Sequence, residues 1–250
     1  PQDTLNQRLL KLNLQGVEAV SEKRDKYGNR LIKLRPLKTG PIVVKADVQL
    51  SPLSVKELLP RLKGNLSPEV QKYLNTSKGI VTDTDEIQAV IQSFAKEAWE
   101  KRILGVMNYA NSRLTYCPPG SPPGIDNSVD VMRRGGGHCE ALTSVIAACL
   151  RTTGVPARMI RGQSAIVGEH GDMKQHTVIE YWLPGIGWVD WDHNMPYFEM
   201  RSNFVRLCSY NEVGDEGVSP GFYFQGREFK AAGVYRNGPY HYERIARSLD

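Results

Sequence analysis

Residues 135–162, GGGHCEALTSVIAACLRTTGVPARMIRG, decide the fold of this 250-residue chain. Three consecutive glycines do not suit a helix interior. From Cys139 onward, apolar residues recur at steps of three and four, which predicts a mostly buried helix. Gly154 and Pro156 end that helix, and residues 157–162 follow as a predicted strand. Cys139 therefore lies in the first turn of a buried helix, behind a glycine-rich loop.

A second informative stretch, HTVIEYWLPGIGWVDWD, covers residues 176–192. It predicts a strand that starts at His176, a Pro-Gly turn, and a returning strand that ends at Asp192. In such a β-hairpin His176 and Asp192 are expected to be cross-strand neighbours.

These positions suit nucleophilic catalysis by a thiol. A helix N-terminus favours a thiolate, and the thiolate is the nucleophile. A histidine that is oriented by a carboxylate can form an ion pair with it and protonate a leaving group. Taken singly, each of these residues also has a structural explanation. A cysteine is often a packing residue in the core, as we expect for Cys149, and Asp190 is an alternative to Asp192 as the carboxylate. In combination, the pattern favours Cys139 as nucleophile, His176 as general acid/base and Asp192 as orienting carboxylate.

The residues before the Cys139 helix predict a β-rich segment followed by two helices. Leucines between Leu5 and Leu12 suggest a short amphipathic turn, and residues 31–34 and 42–48 predict strands of a small antiparallel unit. Loop and short helix are expected at 51–74. Two helices are expected at 83–98 and 99–108, and a Pro/Gly surface loop at 117–128. We expect a β-rich N-terminal extension over residues 1–82 and a catalytic core over 83–250.

Composition narrows the function classes. Hydrophobic residues make up 40% and charged residues 24%, with a net charge of +5. This suits a globular protein with a substantial core. No apolar run reaches the roughly 18 residues of a membrane helix. The basic residues are scattered, which argues against nucleic-acid binding.

Cysteine and histidine spacing argues against a structural metal. The four cysteines form no CxxC pair, and the five histidines show no HxxxH or HxH spacing. No cofactor is expected, and a Cys117–Cys208 disulfide stays open. The start, which has neither Met nor a signal sequence, suggests a removed leader or a trimmed chain. That favours a bacterial periplasmic or secreted protein over a cytoplasmic one.

The stretches GGGHCEALTSVIAACLRTTGVPARMIRG and HTVIEYWLPGIGWVDWDHN resemble the core of the transglutaminase-like superfamily, over about residues 83–195. The resemblance implies an α+β, papain-like fold in which the cysteine-bearing helix packs on an antiparallel sheet. It implies the same Cys139-His176-Asp192 triad, with Asp190 outside it. The family's usual Pro-Thr after the aspartate is His193-Asn194 here, so that turn is expected to differ.

Residues around the triad are candidates for binding the substrate. They are Gly137, His138, Trp188 and Trp191, and both tryptophans also suit core positions. Trp99, or a residue of the Pro/Gly loop, is the candidate side chain for the oxyanion hole.

The predicted function is that of a cysteine protease or amidase, which cleaves an amide bond through a Cys139 thioester. The substrate is expected to be a peptide or protein, glycopeptides included. Two alternatives stay open. One is a protein-glutamine amine acyltransferase that crosslinks or deamidates, and the other is a non-catalytic scaffold that binds a peptide or glycan.

Overall fold

The computed structural model describes residues 3–37, 42–62, 64–117, 127–164, 174–193, 195–200, 204–212, 229–234 and 241–248. Within these residues the chain has the expected α+β architecture, because a long buried helix packs on an antiparallel sheet. The sheet has the strand order β10-β9-β8-β12. Its strands are β8 (Ala157–Ser164), β9 (Lys174–Leu183), β10 (Gly187–Trp191) and β12 (Phe204–Tyr210).

The helix that packs on this sheet is α5 (Cys139–Thr152), whose residues from Glu140 to Arg151 are all buried. Alanines and β-branched residues let it lie close to β8 and β9. It ends as expected, since Gly154 takes the left-handed conformation with φ +83°. The other helices are α1 (Pro68–Gln71), α2 (Asp85–Ile91), α3 (Trp99–Arg113) and α4 (Ser128–Arg134), with 3₁₀ turns at Leu59–Arg61 and Lys72–Leu74.

The N-terminal residues form strands, as expected for residues 31–34 and 42–48. The strands are β1 (Gln7–Gln15), β2 (Val17–Arg24), β3 (Arg30–Pro36) and β4 (Ile42–Leu50), with β1 antiparallel to β4 and β2 antiparallel to β3. The amphipathic turn expected at Leu5–Leu12 is wrong. Leu10, Leu12 and Leu14 alternate with polar residues, and that period of two fits the strand that forms.

Two late strands, β13 (Phe229–Val234) and β14 (His241–Ser248), join the N-terminal sheet in the order β1-β4-β14-β13. Sequence patterns gave no expectation for them. The short strands are β5 (Leu53–Ser54) paired with β11 (Glu199–Met200), and β6 (Thr115–Tyr116) paired with β7 (Gly136–Gly137).

Helix boundaries also differ from expectation. The first helix ends at Ile91, and turns rather than helix cover the stretch that was expected to continue to residue 98. The second continues beyond residue 108 to Arg113. Helix α4 was not predicted; the Asn127 side chain caps it by accepting hydrogen bonds from the backbone N–H groups of Val129 and Asp130.

The central sheet buries a cluster of charges. Glu180 on β9 accepts a 2.6 Å hydrogen bond from Arg158 Nε and pairs also with Arg206. The guanidinium of Arg158 lies 4.0 Å from the ring centroid of Trp188. The ion pair between Arg158 and Glu180 satisfies charges that would otherwise be costly to bury.

All four cysteines are free thiols. The Cys117–Cys208 disulfide that the sequence left open is therefore absent: Cys208 is buried in β12, whereas Cys117 follows β6.

Candidate active site

Cys139 is the first residue of α5, and His138 is its N-cap with extended backbone angles. The cysteine thus sits where the unpaired N–H groups of the helix stabilise negative charge. The hydroxyl of Thr143, one turn on, donates a 2.7 Å hydrogen bond to the Cys139 carbonyl oxygen. The helix begins at the residue that the glycine-to-apolar transition predicts.

The surroundings of the Cys139 thiol stabilise its thiolate. Burial raises its pKa, but hydrogen bonds from the imidazoles of His138 and His176 and from the backbone of Thr177 lower it to about 6. In contrast, burial alone raises the pKa of Cys149 to about 12, and burial raises that of Cys208 to about 11. Cys139 is therefore distinguished from the two buried packing cysteines by charge as well as position.

His176 lies on β9 and is 4% exposed. Its Nε2 donates a 2.6 Å hydrogen bond to Oδ2 of Asp192, which follows β10 and is also 4% exposed. Although burial lowers the pKa of His176, the hydrogen bonds with Asp192 and Cys139 raise it to about 9. The imidazole thus bridges the thiol and the carboxylate and is held in its charged form.

Asp190 occupies a different place. It pairs in register with Glu180, four residues beyond His176 on β9. Asp192 also approaches a second imidazole, since its Oδ1 lies 3.4 Å from Nδ1 of His193. Of these two aspartates it is Asp192 whose carboxylate contacts His176, as expected.

A polar network ties the His176 strand to the Cys139 helix. Tyr210 donates a 3.2 Å hydrogen bond to the hydroxyl of Thr177, the residue after His176. Arg161 lies over the Tyr210 ring and forms a 3.0 Å ion pair with Glu140. Glu140 thus anchors the first turn of α5, which holds Cys139, to β8.

The glycines before Cys139 serve the packing of the protein itself. A Cβ at Gly136 would lie 2.4 Å from the Thr115 carbonyl oxygen, and one at Gly137 would lie 2.7 Å from Cβ of Ala141. Both glycines are buried. Close approach of β6 and α5, rather than of a substrate, accounts for the absence of side chains here.

The tryptophan candidates lie in the core. Trp191 is 1% exposed, and its indole N–H donates a 3.3 Å hydrogen bond to the Met195 carbonyl oxygen. The ring of Trp188 packs against Trp182, Tyr73 and Arg158. The buried ring of Trp191 thus has no surface for a substrate, whereas Trp188 is partly exposed and stays a prediction.

Trp99 does not suit the oxyanion hole. It begins α3, and Arg102 in the same turn donates a 2.9 Å hydrogen bond to the carbonyl oxygen of Thr153, which caps the C-terminus of α5. Cys139 lies at the other end of that 14-residue helix, about 21 Å away at 1.5 Å per residue.

Sequence reasoning missed Tyr116. This residue is 40% exposed and pairs in register with Gly137, two residues before the nucleophile. Its ring stacks on His193, with centroids 6.2 Å apart. The dipeptide Thr-Tyr before a Pro-Pro pair carries no catalytic pattern, so no signal was available.

Of the Pro/Gly loop expected at 117–128, residues 118–126 lie outside the described part of the chain. Within the described part of the chain, no three His, Cys, Asp or Glu side chains group as metal ligands would. None of the helices in that same part is long and apolar enough to cross a membrane.

Comparison with known proteins agrees with this architecture. Residues 85–193 match the family model of the transglutaminase-like superfamily. A candidate cysteine protease from Cytophaga hutchinsonii shares the fold at TM-score 0.59 and 17% identity, over 99% of this chain and 82% of that one. The periplasmic domain of TgpA from Pseudomonas aeruginosa aligns at TM-score 0.45 and 15% identity, over 77% and 73% of the two chains. No curated protein compared with the chain matches it. The match to the transglutaminase-like superfamily model thus covers the residues that carry the Cys139, His176 and Asp192 arrangement.

Proposed function

We propose that this protein is a thiol hydrolase that cleaves amide bonds of peptides or proteins through a thioester on Cys139. The observation that carries the proposal is the placement of His176 between the Cys139 thiol, whose pKa is lowered to about 6, and the Asp192 carboxylate. A non-catalytic scaffold has no use for such a charged, buried arrangement, which costs desolvation energy.

The reaction proceeds in two stages. The Cys139 thiolate attacks the amide carbonyl carbon, and His176, protonated near neutral pH, donates its proton to the leaving amine as the C–N bond breaks. Water then attacks the thioester and gives its proton to His176 as the C–S bond breaks. Asp192 keeps the imidazole oriented and stabilises its charge throughout.

We also propose that water, rather than an amine, accepts the acyl group from the Cys139 thioester. The first stage is the same for hydrolysis and for acyl transfer to an amine. The name given to the Cytophaga hutchinsonii protein, a candidate cysteine protease, supports hydrolysis of a peptide bond.

The first experiment measures iodoacetamide labelling of all four cysteines between pH 5 and 10 by peptide mass spectrometry. We expect Cys139 to label with a midpoint near pH 6, while Cys149 and Cys208 label slowly and serve as internal controls. His176→Ala should abolish the advantage of Cys139. If Cys139 labels like an ordinary thiol of pKa about 8.5, the catalytic proposal fails and a binding scaffold is favoured.

A second experiment separates hydrolysis from transfer. Fluorescein-labelled casein is incubated with the protein, with and without monodansylcadaverine as an amine acceptor. Release of short peptides that Cys139→Ala abolishes supports hydrolysis. Dansyl incorporation into intact casein would instead identify an acyltransferase.

A further inference from the structure

The strand β6 has one side that faces away from the nucleophile loop. The backbone N–H of Thr115 donates to the Gly135 carbonyl, and that of Cys117 donates to the Gly137 carbonyl, each at 2.9 Å. Successive residues of a strand direct their peptide groups to opposite sides, as the alternation in a parallel ladder requires. The N–H and C=O of Tyr116 therefore point away from β7. Both residues of β6 are exposed, and among the described strands none pairs with this side of β6.

The Tyr116 ring lies on the catalytic side of the molecule. It stacks on His193 with an interplanar angle of 26°, and His193 directly follows Asp192. Burial raises the pKa of the Tyr116 hydroxyl, and the charges of Cys139 and Asp192 raise it further. The phenol is thus within electrostatic reach of two members of the triad, and it stays protonated at neutral pH.

These positions define a subsite. An edge strand offers one N–H and one C=O at the spacing of a peptide group, which an extended chain can match. A flat ring beside that edge gives an apolar platform for a side chain of the same chain. Gly136 and Gly137 let β6 lie close to the loop that leads to Cys139. A chain bound at the outer edge of β6 would lie about 5 Å beyond β6, one strand spacing further from that loop.

We propose that the outer edge of β6 and the ring of Tyr116 form the acyl-donor subsite, which takes an extended peptide as an added strand. One residue of the donor pairs its N–H and C=O with those of Tyr116 and lays its side chain on the ring. The inference rests on the proposed function and assigns its substrate class: an extended peptide, rather than a glycan or a small amide without a peptide backbone. Tyr116 is the specificity-determining residue.

The test compares two alkylating reagents on the full chain. Iodoacetamide reports the thiol alone, and acetyl-Ala-Phe-Gly chloromethyl ketone reports the thiol and the subsite. Each rate constant is divided by the reagent's rate with glutathione. We expect the normalised peptide rate to exceed the iodoacetamide rate. Methylation of one backbone nitrogen of the peptide should lower it about fivefold, as the loss of one hydrogen bond predicts, and methylation of the others should have little effect.

Variants test the ring. Tyr116→Ala should lower the ratio of peptide rate to iodoacetamide rate by about threefold to tenfold, the scale of an aromatic contact. Tyr116→Phe should keep the ratio. Leu10→Ala removes a 55% exposed apolar side chain from β1 and serves as the control that leaves the ratio unchanged.

The outcomes separate the two proposals. The subsite is overturned if Cys139 reacts selectively with iodoacetamide but the normalised rate of the peptide reagent does not exceed that of iodoacetamide. Equal rates for all N-methylated peptides also overturn it. In both cases the thiol chemistry stands. An unchanged ratio in Tyr116→Ala also overturns the subsite. If Cys139 does not react selectively even with iodoacetamide, the proposed function fails and the subsite fails with it.

Discussion

His176 and Asp192 are joined by a 2.6 Å hydrogen bond between residues that are not directly opposite each other in the sheet. The pairing of Trp191 with Ile179 places Asp192 opposite Val178 and diagonal to His176. Diagonal neighbours on one face are within reach of long or aromatic side chains. The imidazole spans this gap, and Asp190 falls opposite Glu180 instead.

This relationship predicts unequal effects for the two aspartates. Asp192→Asn should lower the rate of casein hydrolysis about 10²- to 10⁴-fold, because the amide no longer stabilises the imidazolium or selects its orientation. The matched control Asp190→Asn should hydrolyse casein at a rate within about threefold of that of the intact protein. A greater loss in Asp190→Asn would show that the two strands pair in a register shifted by two residues.

The activity should follow a bell-shaped pH profile. The thiolate–imidazolium pair forms as the pH rises through about 6, where Cys139 ionises, and it is lost above about 9, where His176 deprotonates. These limits belong to the coupled pair rather than to either residue alone. The measurement is kcat/KM for casein hydrolysis from pH 5 to 10. A single rising limb near pH 8.5 would contradict the ion pair.

Cys139→Ala should abolish turnover and change how stability depends on pH. The raised pKa of His176 contributes stability that is present below pH 6.5 and lost as the pH rises through the folded value. The lowered pKa of Cys139 has the opposite sign: its contribution is present above pH 9 and lost as the pH falls through about 6. The pH dependences of stability that come from His176 and Cys139 nearly cancel in the intact protein. Between about pH 6 and 9 the folded and unfolded states bind equal numbers of protons at these two groups.

Thermal melting at pH 6, 7, 8 and 9 tests this cancellation. The intact protein should show little change in Tm from these two groups. The Tm of Cys139→Ala should lie within a few degrees of that of the intact protein at pH 6, and the difference should grow as the pH rises. Parallel curves for the two proteins would show that the thiol is not ionised in the folded state.

His138 should contribute to thiolate stability without being essential. Its imidazole is the first of the hydrogen-bond donors that lower the Cys139 pKa. In His138→Ala the labelling midpoint of Cys139 should move above pH 6 and stay below that of an ordinary thiol, because His176 and Thr177 remain. The readout is the iodoacetamide pH profile, with His176→Ala as the more severe comparison. An unchanged midpoint would show that His138 does not stabilise the thiolate.

Gly137→Ala should destabilise the protein by about 1–3 kcal/mol through overpacking against Ala141. Ala141→Gly alone should cost about 1 kcal/mol, the helix penalty of glycine. The double variant should lose less than the sum, since removing the Ala141 methyl opens space for the new one. Urea unfolding measures all three, and strictly additive losses would mean that the two positions do not contact.

The sequence alone determined the elements that carry the triad. The change from glycines to a three- and four-residue apolar period marks the start of α5 because residues three and four apart lie on the same face of a helix. The strands of His176 and Asp192 follow from β-branched and aromatic residues around a Pro-Gly turn. Cys139 is thus assigned to a helix N-terminus by local sequence, and the proximity of His176 to Asp192 follows from the hairpin. The contact of Cys139 with His176 depends on the packing of α5 on β9.

Only the tertiary structure decided what surrounds the triad. Tyr116 reaches the site because β6 pairs in parallel with a segment 21 residues further along the chain. Trp191 and Trp188 turn inward because their rings pack on the core and on Arg158, which depends on strands distant in sequence. The pairing of β14 with β4 likewise rests on backbone hydrogen bonds between segments about 200 residues apart in the chain. Contacts of this kind depend on which surfaces meet after folding, and no local period of the sequence encodes them.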